Sequence, residues 1–211
     1  AANTTYHLFV RAVSHSGAST AYAFLGSTPT LANPVAAASS PFFQVHRSSA
    51  WASWDNNGNA LAKITYSVVM STDSAYPNSH AGNVALSTVP VGSPPSAMVV
   101  GLFSDTSYYL HVAAQNAAGA LTAYNWVGST ITRAAEPSAA LQIYPQVHPT
   151  SMTIAWGTNT NGPGSRYEMT LTTGNYIPNT HAGNTVVFTP PGASISSATL
   201  TGLSANTTYS L

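Results

Sequence analysis

The chain has 211 residues, no cysteine, and five basic against five acidic side chains, for a formal net charge of zero. Charged residues fill 5% of it, against roughly 25% in an ordinary soluble domain, while hydrophobic content reaches 44%. That balance excludes a basic face for nucleic acid, a disulfide framework and a cysteine zinc cluster, and no apolar run approaches the roughly eighteen residues of a membrane-spanning helix.

In chain order, Ala2-Asn3-Thr4-Thr5-Tyr6 leads into a segment from Tyr6 to Ala12 whose apolar residues alternate as in a half-buried strand. Gly17 marks a turn, and Ala21 to Leu25 reads as the second strand of a hairpin. Pro34 opens a new module, in which the stretch from Phe42 to Trp54 contains a strand ending in Ala52-Ser53-Trp54. Asp55-Asn56-Asn57-Gly58-Asn59 is a turn-rich loop, and Ile64 to Val69 is a strand carrying Tyr66. Two more strands follow the loop Pro77-Asn78-Ser79-His80-Ala81-Gly82-Asn83. Leu102-Phe103-Ser104-Asp105-Thr106-Ser107-Tyr108 then restates the opening motif. The hairpin after it (Tyr108 to Ala114, a turn at Gly119, Ala123 to Val127) restates the first hairpin. Pro137 begins the same order again, through Trp156, the loop from Asn159 to Gly164, Tyr167, and finally Leu203-Ser204-Ala205-Asn206-Thr207-Thr208-Tyr209. Tyr6, Tyr108 and Tyr209 stand 102 and 101 residues apart, so one unit recurs at a fixed period. No helical period persists, and short strands punctuated by turn signals imply an all-β sandwich.

The order "strand ending in Trp, turn, strand with Tyr, then Leu-x-x-x-Thr-x-Tyr-x-apolar-x-Val-x-Ala" resembles the fibronectin type III domain. In the middle unit it is carried by Trp54, Tyr66, Leu102, Thr106, Tyr108, Leu110, Val112, Ala114, Asn116 and Gly119. The proline that the family commonly places two residues after that Leu is replaced by Ser104 and Ala205. The resemblance covers the whole chain. It implies tandem seven-stranded Greek-key β-sandwiches, fibronectin type III-like or immunoglobulin-like. Residues 1–33 would be the last two strands of one domain, 34–134 a complete domain, and 135–211 the N-terminal part of a third. Trp54 and Trp156 would fill the space between sheets with Tyr66 and Tyr167, and Tyr6, Tyr108 and Tyr209 would pack as corner residues. Such modules serve as spacers or adhesion units, and the resemblance implies no reaction.

Few residues suggest chemistry. His46 and His148 recur in Gln-Val-His triplets, and His80 and His181 in matching loops, yet each unit offers two ligands where zinc takes three or four. His7, His15 and His111 have no histidine counterparts and read as surface residues. The Asp55 to Asn59 loop lacks the closing glutamate of a calcium site. No nucleophile elbow and no placed carboxylate pair occurs, so the chain is read as no enzyme, with no cofactor and no metal. Asn3-Thr4-Thr5 and Asn206-Thr207-Thr208 are N-glycosylation sequons, making Asn3 and Asn206 candidate acceptors. Trp51 stands three residues before Trp54, which places it on the outward face; stacking on a sugar or a neighbour and ordinary edge packing both suit it. Tyr22 with Phe24, and Tyr124 with Trp126, read as packing on the last strand, with an exposed aromatic platform as the alternative.

These readings converge on an extracellular or cell-surface fibre or stalk segment, open to glycosylation, whose partners are copies of itself and glycans. The alternative is an adhesin or carbohydrate-binding spacer of a larger secreted protein. Head and tail are complementary in strand content, but Ser204 to Leu211 repeats the slot already held by Ala1 to Leu8. That overlap favours a window of a continuous array over completion between separate chains.

Overall fold

The computed structural model describes residues 1–60, 64–75, 81–88, 94–162, 164–174, 184–190 and 195–211. It is all-β, with fifteen strands and no helix among those residues. The matching histidines His80 and His181 lie outside the described residues. Two compact units form, one from residues 1–45, 49–101 and 107–130, the other from 46–48, 102–106 and 131–211.

The first unit opens on an antiparallel hairpin of β1 (Thr5–Val10) and β2 (Ala23–Pro29), with a bulge between Leu8 and Phe9. Both faces of this hairpin meet solvent, and Tyr6, expected in a core, is 52% exposed. The physical reason is direct: among the described residues no second sheet faces β1 and β2.

The rest of this unit builds a seven-stranded sandwich. One sheet has the order β3 (Ala36–Val45), β4 (Ser49–Asp55), β7 (Ser96–Val100). The other has the order β6 (Val84–Thr88), β5 (Thr65–Ser71), β8 (Ser107–Gln115), β9 (Asn125–Ile131). The chain changes sheet between β4 and β5, as a Greek key requires. The sequence between Phe42 and Trp54 holds the end of β3, a turn and most of β4, the strand that carries Ala52-Ser53-Trp54. Alternation explains the core: Ala50, Ala52 and Trp54 on β4, and Tyr66, Val68 and Met70 on β5, are buried. Trp54 meets Tyr66 across the sandwich, edge to face, with ring centroids 5.1 Å apart. The central strand β8 adds Tyr108, Leu110, Val112 and Ala114. Each fully buried Val, Leu or Met here contributes about 1.5–3 kcal/mol.

In the second unit, β12 (Ser151–Gly157) pairs with β10 (Ser138–Ala139), β11 (Gln146–His148) and β15 (Ser197–Thr201). A separate pair joins β13 (Glu168–Leu171) to β14 (Thr185–Phe188). Ile154, Leu171, Leu200 and Leu203 form the core, with Met152, Trp156, Val187 and Tyr209 packed against it and partly buried. Trp156 and Tyr167, 5.3 Å apart, repeat the Trp54–Tyr66 contact, but Trp156 keeps part of its surface open. A cleft of about 470 Å³ lies beside Trp156, Met169 and Leu211. The Thr172↔Ser210 bridge matches the last pair of the β5–β8 ladder, Ser71↔Tyr109, and no longer ladder continues it among the described residues.

Candidate functional site: repeated joints and an aromatic face

The corner motif is a local device before it is anything else. Asn3, Asp105 and Asn206 all adopt left-handed backbone, with φ of 47°, 44° and 53°. Asn and Asp tolerate this conformation far better than other non-glycine residues. Two positions before the corner tyrosine, a threonine hydroxyl donates back to a carbonyl: Thr4 to Ala2, Thr106 to Ser104, Thr207 to Ala205. The Ser204 backbone N–H, five residues before the tyrosine, donates to the Tyr209 hydroxyl at 2.9 Å, and the Ala1 amino group donates to the Tyr6 hydroxyl at 3.1 Å. Asn-x-Thr at this place is therefore explained by turn chemistry. Asn3 is 5% exposed and accepts the Ala117 N–H on its Oδ1, a setting that does not suit a glycan attachment point; Asn206 is exposed.

The two linkers are held alike. Asn59 accepts the Asn33 N–H and donates to the Asn33 carbonyl, both at 2.8 Å, so its carboxamide pairs with the linker as a peptide group would. At the position 102 residues later, Asn161 accepts the Ala135 N–H at 2.6 Å and donates to the Ala135 carbonyl at 3.0 Å. Asn57 donates to the Pro34 carbonyl, and Asn159 donates to the Glu136 carbonyl. Each linker is also tied to the corner motif. The Thr30 N–H donates to Thr4, the Thr132 N–H to Thr106, and each threonine hydroxyl accepts in return. Beyond these, Asn116 donates to the Thr30 carbonyl at 3.1 Å. In the second unit, Ser165 donates to the Asp105 carboxylate and the Gly162 N–H donates to Ser104. A β-carbon at Gly162 would lie 2.1 Å from the Asp105 carbonyl oxygen, so that position requires glycine. These joints are made of amides and hydroxyls, which fits a chain so poor in charge. Sequence reasoning read the Asp55 and Asn159 loops as plain turns and missed their grip on the linkers.

A second feature lies on the outer face of the hairpins. Alternation turns Tyr109, His111 and Ala113 of β8 to the face opposite Tyr108, Leu110 and Val112, and of these His111 and Ala113 are buried and Tyr109 is half-buried. On β9, Val127 points inward and Trp126 is 59% exposed. Trp126, Tyr124, Leu121, Thr122, His111 and Ser74 line an open cleft of about 580 Å³. The Tyr124 hydroxyl lies 2.6 Å from Ser67 Oγ. His111 is 3% exposed, and burial holds its imidazole below the ordinary histidine range against the opposing pull of Asp73. The positions 102 residues earlier are His7, Phe9, Tyr22 and Phe24, answering to Tyr109, His111, Tyr124 and Trp126. There Phe9 and Phe24 lie 5.2 Å apart, His7 is 6.1 Å from Phe24, and the Arg11 guanidinium sits 4.9 Å over Tyr22. Tyr22 and Phe24 are 62% and 56% exposed, so they and Trp126 do not pack into a core, as the first reading of these strands had it. His7 and His111 both belong to this face, and His111, expected at the surface, is buried there.

Trp51 stands apart from these rings, on the other sheet. It is partly buried, stacked on Phe43 at 5.8 Å and paired in register with Met98. Its counterpart Thr153 hydrogen-bonds Thr199 at 2.9 Å, so the Trp51 patch does not recur. His46 and His148 are exposed beside turns. Among the described residues no three His, Cys, Asp or Glu side chains come together as a metal site would need.

No family model matches the chain, and no curated protein sequence does. Among solved structures, a two-domain fibronectin type III segment of chicken tenascin is similar at 14% identity and a TM-score of 0.44. That match covers 84% of this chain and 87% of the tenascin segment.

Proposed function

We propose that the chain is a segment of an extracellular structural fibre or stalk, in which β-sandwich modules are strung in series and make contact with further copies of themselves. The observation that carries this reading is the recurrence of the linker clamp: Asn57 and Asn59 on one linker, Asn159 and Asn161 on the next, at the same offset as the modules themselves. Each linker is tied at the same points to its own repeat, and head-to-tail repetition of one unit generates an open filament when the rotation per unit does not close. The role in this reading is mechanical, carried by the repeated hydrogen-bonded linkers. The near absence of charge suits a surface that is covered by neighbours or glycan, with Asn206 the sequon in an accessible setting. Electron micrographs of the native polypeptide test the proposal: filaments support it, and dispersed particles at native concentration sink it.

A further inference from the structure

We propose that the outer faces of the β1–β2 and β8–β9 hairpins are carbohydrate-stacking surfaces, taking the ring of a neutral sugar against Phe24 in one repeat and Trp126 in the other. The inference rests on the aromatic face and stands apart from the fibre reading. Recurrence is the first support. Four ring-bearing positions, His7, Phe9, Tyr22 and Phe24, return as Tyr109, His111, Tyr124 and Trp126, whereas the Trp51 patch is lost to a threonine pair in the next module.

Exposure is the second. Trp126, on a complete sandwich, is 59% exposed, and apolar surface of that kind marks interaction sites; Phe24, its counterpart on a hairpin open to solvent on both faces, is 56% exposed. Charge is the third, and it selects the ligand. Among the described residues, the β8–β9 cleft is lined by no Asp, Glu, Lys or Arg, and Asp73, the charge that acts on His111, is not one of its lining residues, so an ionic ligand would find little counter-charge there. The His111 imidazole adds none near neutral pH, because burial disfavours its charged form. An apolar peptide segment would give the polar groups around the cleft, the hydroxyls of Ser74, Thr122 and Tyr124, nothing beyond the internal bonds that Thr122 and Tyr124 already make. A sugar ring meets both demands, since its C–H face stacks on an aromatic ring while its hydroxyls stay at the wet rim. In the first hairpin Arg11 covers one face of Tyr22, which leaves Phe24 as the stacking ring.

The test is a printed array of neutral oligosaccharides: glucans, xylans, mannans, galactans and N-acetylglucosamine oligomers. The strongest binder is then titrated into the intact chain with tryptophan fluorescence as the readout. Saturable binding with an emission change is expected. Trp126→Ala should abolish that change and weaken binding at its site about tenfold or more. Phe24→Ala should keep the emission change and lower the number of sugar chains bound. Both rings are exposed, so circular dichroism should show both variants folded. Absence of any array hit overturns the proposal, as does binding that survives the double variant or is lost with Trp51→Ala. Self-association abolished by Trp126→Ala, with no sugar bound, also overturns it and gives the face to a second copy of the chain.

Discussion

Replacing Asn59 by alanine probes the joint at its most exposed logic, because one carboxamide there serves two linker groups. Asn59 is buried, accepts the Asn33 N–H and donates to the Asn33 carbonyl, and also donates to the Asn56 carbonyl at 2.7 Å. Truncation leaves the two Asn33 groups without these partners. A buried group left unmade costs about 1–3 kcal/mol, and Asn33 is only half-buried, so water recovers part of the loss and about 2–3 kcal/mol is expected in total. Asn59→Asp keeps the acceptor but turns the donor into a second acceptor facing a carbonyl, so it should give no rescue. Asn161→Ala should cost at least as much, because its linker partner Ala135 is itself buried. Urea unfolding followed by circular dichroism reads the shift, as a lower midpoint at unchanged slope. A loss under about 0.5 kcal/mol, the range of an ordinary surface change, would refute the reasoning.

Other outcomes follow from the same contacts. Trp54→Ala should cost about 3–5 kcal/mol in urea unfolding, and Trp156→Ala distinctly less because its ring is only partly covered. Gly162→Ala should destabilise by about 1–3 kcal/mol through overpacking, read from the same curves, since its β-carbon would strike the Asp105 carbonyl at 2.1 Å. His111 has a folded-state pKa below the unfolded value of 6.5, so the unfolded chain takes up a proton that the folded chain resists. Stability should therefore be full above pH 6.5 and fall as the pH drops toward the folded pKa. His111→Gln should flatten that slope in thermal scans at a series of pH values.

Much of the fold was legible because its determinants are local or periodic. Alternation along β4, β5 and β8 names Trp54, Tyr66 and Tyr108 without any knowledge of neighbours, and the tyrosine spacing names the repeat. The joints were not legible in this way. Asn59 and Asn161 look like turn residues because their partners, Asn33 and Ala135, lie 26 residues upstream in the linkers. A carboxamide used as a substitute peptide group leaves no periodic trace. The signal that existed was the matched offset of the two asparagine pairs, which repeat although the loops around them differ. The sequons have a second source, since left-handed Asn and a back-bonded Thr produce the same text as a glycan acceptor, and Asp105 does the same local work without it. Tyr22 and Trp126 were hard to place because the choice between core and solvent turns on one residue of register, and Val127 takes the inward position.

Amide hydrogen exchange on the intact chain is the most direct test of the repeated joint. Asn33 and Ala135 should be protected to similar degrees, well above unstructured chain, with the pairs Thr30 and Thr132 and Asn3 and Asp105 matched in the same way. Exchange at Asn33 and Ala135 as fast as in an unfolded peptide would mean that the linkers are not clamped and that the repeat is one of sequence alone.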